Sequence, residues 1–337
     1  MTRKVNIAVV GTGRMGSVHV RNLAHQIPEA NLVAVCDLRI DVAQAIADEC
    51  GVTRVVRDFH ELLSDPDLEA VLCTASTDAH ALIVKDCAAA GKHVFCEKPL
   101  TPNLKTIDEV LEAVAKAGVK LQVGFNRRFD KSFQRVREIV HSGEIGRPAV
   151  LRITNRDPGV PAMEFMRVSG GMFMDMSIHD FDMARFQLGE VEEVYAMGDL
   201  LCSPELKEIN DIDTGIITLR FVDGTLGAVD NSRNSVFGYD QRLEVFCSNG
   251  VAMAENVPET TIQKGNREGF HSARLEHFFM QRFASCYVDE VRQFVECVRD
   301  DKPTPTTGRD GRMAVVLAMA ANKSMRENRP VKVSEIG

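Results

Sequence analysis

Gly11, Gly13 and Gly16 form a GxGxxG turn set directly between an apolar run, Val5–Val10, and a segment of helical period that opens at Met15. No other feature constrains the chain as much. A strand that runs into a glycine turn and then a helix begins a βαβ unit, and hence a parallel sheet covered by helices. Gly11 permits the tight turn, Gly13 lets a pyrophosphate approach the backbone, and Gly16 lets helix and strand pack closely. The start of the helix offers N–H groups and the positive end of a dipole to phosphates. Asp37 ends the next strand, where a carboxylate can accept both hydroxyls of an adenosine ribose. It favours NAD over NADP, because a 2′-phosphate brings negative charge against Asp37, with Arg39 compensating only in part.

The same alternation continues to Gly124. Strand-like runs at Val5–Val10, Leu32–Cys36, Ala70–Cys73, His93–Cys96 and Leu121–Val123 are separated by helical segments at Met15–Ala24, Val42–Glu49, Phe59–Leu63, His80–Ala90 and Thr106–Ala117. Several helices start close to a polar cap such as Asp41, Asp58 or Asp78. The expectation is a doubly wound Rossmann domain over residues 1–124. Beyond it, alternating strands at Ala149–Thr154, Gly215–Phe221, Gly224–Val229 and Leu243–Cys247 predict an open, largely antiparallel sheet. Helices at Lys131–His141, Asp175–Leu188 and Val288–Arg299 make residues 125–337 an α+β domain. A last helix, Gly311–Asn328, is expected to pack back across the first domain.

Composition limits the function classes. The chain has 337 residues, 45% of them hydrophobic, which is enough for two cores, and no run long and apolar enough to span a bilayer. A formal net charge of −8 argues against nucleic acid and anionic membranes as partners. Nine scattered cysteines form no CxxC pair, and Cys36, Cys73, Cys96 and Cys247 fall in or beside apolar runs, as small hydrophobes do in a reducing, cytoplasmic compartment. His19, His25 and His271 read as ordinary surface or packing residues.

Two further segments carry chemistry. Cys96-Glu97-Lys98-Pro99 places Lys98 at the carboxyl edge of the sheet, where open α/β folds put their ligands. Its backbone is held extended by the following proline, and the X–Pro bond is the one kind that adopts cis cheaply. The stretch from Ser169-Gly170-Gly171 to Asp182 reads as a glycine turn entering a helix, with Asp175, His179 and Asp182 at i, i+4 and i+7 on one face. An imidazole suits proton exchange near neutrality, and a neighbouring carboxylate orients it and stabilises its charged form. The spacing matches no strong metal-ligand motif, so no metal is expected.

The fingerprint, Glu97-Lys98-Pro99 and the Gly170-Gly171…Asp175…His179 segment together resemble the glucose-fructose oxidoreductase/inositol dehydrogenase (Gfo/Idh/MocA) family, over nearly the whole chain. Within it, Arg156-Asp157-Pro158 and the run from Ser169 to Arg185 are most similar to inositol 2-dehydrogenases. The resemblance implies Lys98, Asp175 and His179 as the catalytic group, with Lys98, Arg127, Asp157, Asp175 and His179 at the substrate. It implies NAD held by Gly11, Gly13, Arg14, Met15 and Gly16, by Asp37 and Arg39, by Ser76, Thr77 and His80, by Glu97 and Lys98, and by Asn126. The implied reaction is oxidation of a ring secondary alcohol to a ketone, myo-inositol to its 2-keto product (scyllo-inosose), in a homotetramer built through the open sheet. Alternatives are another inositol isomer or a sugar as substrate, or a non-enzymatic regulator that binds NAD or sugar. One departure bears on substrate preference: Gln281-Arg282-Phe283 stands where relatives often carry a tyrosine, ahead of Tyr287.

Overall fold

The computed structural model describes residues 3–337. In chain order it runs β1 (Val5–Val10), α1 (Arg14–His25), β2 (Ala30–Cys36), α2 (Ile40–Cys50), β3 (Val55–Val56), α3 (His60–Leu63), β4 (Ala70–Cys73), α4 (Thr77–Ala89), β5 (His93–Glu97), α5 (Leu104–Ala117) and β6 (Leu121–Gly124). It continues with α6 (Lys131–Ser142), β7 (Pro148–Arg156), α7 (Met163–Met166), α8 (Met172–Asp175), α9 (Ser177–Leu188), β8 (Val191–Asp199), β9 (Thr214–Phe221), β10 (Leu226–Ser232) and β11 (Asp240–Cys247). The last elements are β12 (Gly250–Ala254), β13 (Gln263–Asn266), β14 (Gly269–Ser272), α10 (Phe279–Arg282), α11 (Ala284–Arg299), α12 (Gly308–Glu327) and β15 (Val331–Lys332).

The chain forms two compact units. The first comprises the chain up to Asn126 together with Ser285–Met313; the second comprises Arg127–Ala284 and Ala314–Gly337. A single cut after Gly124 therefore misses the return of Ser285–Met313. The cause is the apolar stripe of α11: Val288, Val291, Phe294, Val295 and Val298 recur at helical spacing and join Val5, Ile7, Val9, Leu72 and Phe95 in one buried core. The start of α12 belongs to the first unit as well. Arg312 makes a two-pronged bond to Asp108 on α5, at 2.6 and 3.1 Å, and Gly308 lies against Leu111 and Leu121.

In the first unit six parallel strands stand in the order β3-β2-β1-β4-β5-β6. The direction of progression reverses between β1 and β4, so the crevice at their carboxyl ends is the place where such sheets receive ligands. β4 is buried along its whole length, as a strand covered on both faces must be. Cys36, Cys73, Cys96 and Cys247 are buried free thiols. The expected caps are used differently: Asp41 and Asp78 lie in first turns and Asp58 accepts the His60 N–H at 3.0 Å, whereas Asn103 caps α5 by accepting from Thr106 N–H.

In the second unit the sheet order is β12-β11-β7-β10-β9-β8-β15, antiparallel except for the β7–β10 pair. β8 escapes a simple alternation search because a register shift between Val191 and Glu193 changes the phase of its side chains. The expected helix Asp175–Leu188 is in fact two: α8 ends at Asp175, and α9 starts at Ser177 after Met176. No helix among the described residues is long and apolar enough to cross a membrane.

Candidate functional site

The first unit holds a dinucleotide-type cradle. Gly11 has φ +94°, and a Cβ there would lie 2.4 Å from Ala75 N; one on Gly16 would lie 1.9 Å from the Gly11 carbonyl. Nothing lies within 4 Å of the Cβ position of Gly13. Two glycines thus serve close packing, and the third leaves the turn open to a ligand. The N-terminus of α1, led by Arg14 and Met15, has no side-chain cap and no acid in its first turn, so its dipole faces the turn uncompensated. Thr74 Oγ1 donates to the Gly11 carbonyl at 2.6 Å and pins the turn to the end of β4. These features fit a pyrophosphate, and Asp37 fits a ribose. Its Oδ2 accepts the Thr12 N–H at 2.7 Å and the Thr12 hydroxyl at 3.1 Å, and its Oδ1 accepts the Arg39 N–H at 2.9 Å. The Arg39 side chain stays two-thirds exposed, with Nε 3.9 Å from Asp37.

Around the carboxyl ends of β4 and β5 the other expected cofactor residues take distinct places. Ser76 and Thr77 open α4. His80 is buried, one ring nitrogen 2.8 Å from the Pro99 carbonyl and the other 3.0 Å from that of Ala75, so it ties the two loops together. Lys98 is half-buried directly after β5 and is joined to Pro99 by a cis peptide bond. Glu97 accepts from His19 Nε2 at 2.9 Å, and Glu290 on α11 completes a cluster with them in which the polar atoms lie within 4.8 Å of one another. A second such cluster, Cys73, His80 and Cys96, has its imidazole occupied by the two carbonyls just named. Asn126 is buried at the start of the short turn Asn126–Phe129 that follows β6.

The second unit gathers a histidine, two buried arginines and several carboxylates. Asp175 ends α8, and His179 lies four residues on, within the first turns of α9. Arg233, fully buried just after β10, donates from Nη2 to Asp175 Oδ2 at 3.1 Å, and its Nη1 lies 3.9 Å from Asp157 Oδ2. Burial pushes the Asp157 carboxyl up to about 6, a rise that Asp175 adds to and that Arg233 and Arg127 oppose. Arg127 is buried: its Nη1 donates to Asp180 at 2.7 Å and its Nη2 to the Tyr239 hydroxyl at 3.2 Å. Asp180 also accepts from Asn155 and Asn231, at 2.8 and 2.9 Å; burial raises its carboxyl, with Arg127 opposing.

Asp182 does not extend the polar face of Asp175 and His179. Its carboxylate is buried and taken in two-pronged fashion by Arg128, at 2.8 and 2.6 Å. Residue spacing alone does not record that Arg128 claims Asp182. Residues that sequence reasoning passed over include Arg233, Asp180, Asn155, Asn231 and Tyr239. None has a partner at helical or strand spacing; strands, helix α9 and the turn after β6 bring them together only in the tertiary fold.

Residues 5–125 match the family model described as oxidoreductase family, NAD-binding Rossmann fold, and residues 133–253 match the GFO/IDH/MocA C-terminal domain. The chain is 46% identical to the myo-inositol 2-dehydrogenase of Thermotoga maritima, over 98% of this chain and 99% of that one. It is 37% identical to the inositol 2-dehydrogenase of Rhizobium meliloti, over 98% and 99% respectively. Among solved structures, the scyllo-inositol dehydrogenase of Lactobacillus casei with bound NAD(H) and scyllo-inositol superposes with a TM-score of 0.92 at 29% identity, covering 98% of this chain and all of that one.

Proposed function

Because the chain belongs to the GFO/IDH/MocA oxidoreductase family, we propose that it oxidises one ring hydroxyl of an inositol to the ketone with NAD, myo-inositol to its 2-keto product being the leading case. The observation that carries this reading is whole-length similarity to an inositol 2-dehydrogenase together with intact Lys98, Asp175 and His179. His179 takes the hydroxyl proton. Asp175 orients the imidazole and stabilises its charged form. Lys98 donates to the substrate oxygen as that atom becomes a carbonyl. NAD, when bound, accepts the hydride from the carbinol carbon at the nicotinamide ring. Gly11, Gly13, Arg14, Met15 and Gly16 hold the pyrophosphate, Asp37 the ribose, with Arg39, Ser76, Thr77, His80, Glu97, Lys98 and Asn126 completing the cofactor set. Arg127 and Asp157 help replace the water around a polyhydroxylated ring, which needs several fixed polar partners.

The test is absorbance of NADH with purified protein, NAD or NADP, and a panel of myo-inositol, scyllo-inositol, glucose and xylose. Reduction of NAD by myo-inositol supports the reading. A preference for scyllo-inositol supports the second reading, which the likeness to the Lactobacillus casei enzyme favours. Silence across the panel with NAD still bound supports a regulator.

We also propose a cytoplasmic homotetramer. The nine free cysteines suit a reducing compartment. For assembly, Met197, Ile216, Leu226, Phe246, Val251 and Met253 are exposed on β8 to β12, with Met197 opposite Ile216 and Phe246 opposite Val251. A sheet face of that kind suits burial against another copy. Light scattering after size exclusion gives four times the monomer mass if this holds.

A further inference from the structure

Arg233 is bonded differently from the two arginines nearest to it in role, Arg127 and Arg128. Arg128 spends its fork on Asp182, and Arg127 is held by Asp180 and Tyr239. Arg233 is fully buried, yet among the described residues its Nε and Nη1 have no hydrogen-bond partner. A buried N–H left unpaired costs about 1–3 kcal/mol, so a purely structural arginine is poorly placed here.

Its backbone, by contrast, is firmly held. The Arg233 N–H donates to the Asp213 carbonyl at 2.8 Å, and the Asp213 carboxylate in turn accepts from the N–H groups of Leu201, Cys202 and Ser203. On either side, Asp157 N–H donates to the Ser232 carbonyl at 2.8 Å and Ser235 N–H to the Asp157 carbonyl at 2.7 Å. The segment 232–235 therefore locks onto the backbone of Asp157 while the guanidinium reaches Asp175 on α8. The result is one cation set between two carboxylates that come from different elements.

We propose that Arg233 is a positioning residue of the alcohol site: its buried guanidinium holds Asp157 and Asp175 side by side as two carboxylates, so that Asp175 stays ionised behind His179 and Asp157 stays an acceptor for ring hydroxyls. The inference rests on the proposed alcohol oxidation for its catalytic meaning, though not for its geometry. Without the guanidinium, two partly buried carboxylates set side by side repel one another, and one of them takes a proton more readily. The other groups that bear on Asp157 do not substitute for Arg233. Arg127, from the turn after β6, is already paired with Asp180 of α9, and Tyr239, ahead of β11, is a phenol whose ionisation burial opposes.

The experiment pairs kinetics with a readout that needs no substrate. Arg233→Met and Arg233→Lys are compared with wild type in the pH dependence of kcat/KM for the best inositol and in the titration of 13C-labelled aspartate carboxyls. Asp157→Asn and Asp175→Asn assign the resonances, and thermal melts check folding. In Arg233→Met the acid limb of the profile and the Asp157 or Asp175 carboxyl titration both move up by one pH unit or more; in Arg233→Lys both shift less. An activity loss that is uniform with pH, with unmoved carboxyl titrations, overturns the proposal. If wild type oxidises no inositol, the functional reading fails, and the carboxyl titrations still decide the role of Arg233. If Arg233→Met does not fold, the smaller shift expected of Arg233→Lys remains the test, and its absence counts against the proposal.

Discussion

Replacing Glu290 by Gln is expected to change how the stability of the chain depends on pH. Glu290 is fully buried on α11, and among the described residues neither of its carboxyl oxygens has a hydrogen-bond partner. Glu97 and His19 are the titratable groups that face it, and burial, with the added charge of Glu97, holds its carboxyl well above the ordinary glutamate range. The folded protein therefore binds this proton more tightly than the unfolded chain does. The stability it contributes is fully present below the unfolded glutamate range and is lost as pH rises through the raised folded value. Across that window the loss is about 1.4 kcal/mol per pH unit. For a chain of 337 residues unfolding as a whole, the slope is about 2 °C in Tm per pH unit. Glu290→Gln imitates the neutral acid but carries no titratable proton, so this part of the slope disappears. Melting curves of both proteins from pH 5 to pH 9 measure it: the Tm of Glu290→Gln, relative to wild type, rises with pH and then levels off. A difference constant over that range refutes the reasoning, whatever its sign.

Three other outcomes follow from the geometry. Gly16→Ala forces a Cβ to 1.9 Å from the Gly11 carbonyl and is expected to disrupt the turn and lower Tm, whereas Gly13→Ala meets open space and is expected to fold normally while weakening NAD binding; calorimetric titration and melting separate the two. Lys98→Ala and His179→Ala are each expected to lower kcat by about 100- to 10,000-fold while leaving NAD affinity nearly unchanged, and a parallel loss of both in stopped-flow binding and turnover points to misfolding. Asp182→Ala leaves the buried guanidinium of Arg128 without its two-pronged partner and is expected to cost about 3–5 kcal/mol in urea denaturation, with the NAD site of the first unit intact.

The sequence by itself determined what local patterning encodes. The glycine turn after Val5–Val10, the alternation of apolar runs and helices to Gly124, and the placing of Asp37 and Lys98 at strand ends are readable because each is a relation between residues close in the chain. The strands of the first unit begin and end within two residues of the runs predicted for them, except β3, which at two residues is too short to show a period. Tertiary structure decided the rest. The return of α11 to the first unit depends on which core its apolar stripe meets, and the stripe alone does not say. Asp182 turns to Arg128, a partner 54 residues away that no local spacing indicates. Arg233 comes beside Asp157 because β10 pairs in parallel with β7, which sets the end of one strand beside the end of the other, and α8 then brings Asp175 to the same guanidinium. Pairing of that kind joins residues far apart in sequence through the hydrogen-bond register of a sheet, and no local pattern records which strand will be the neighbour.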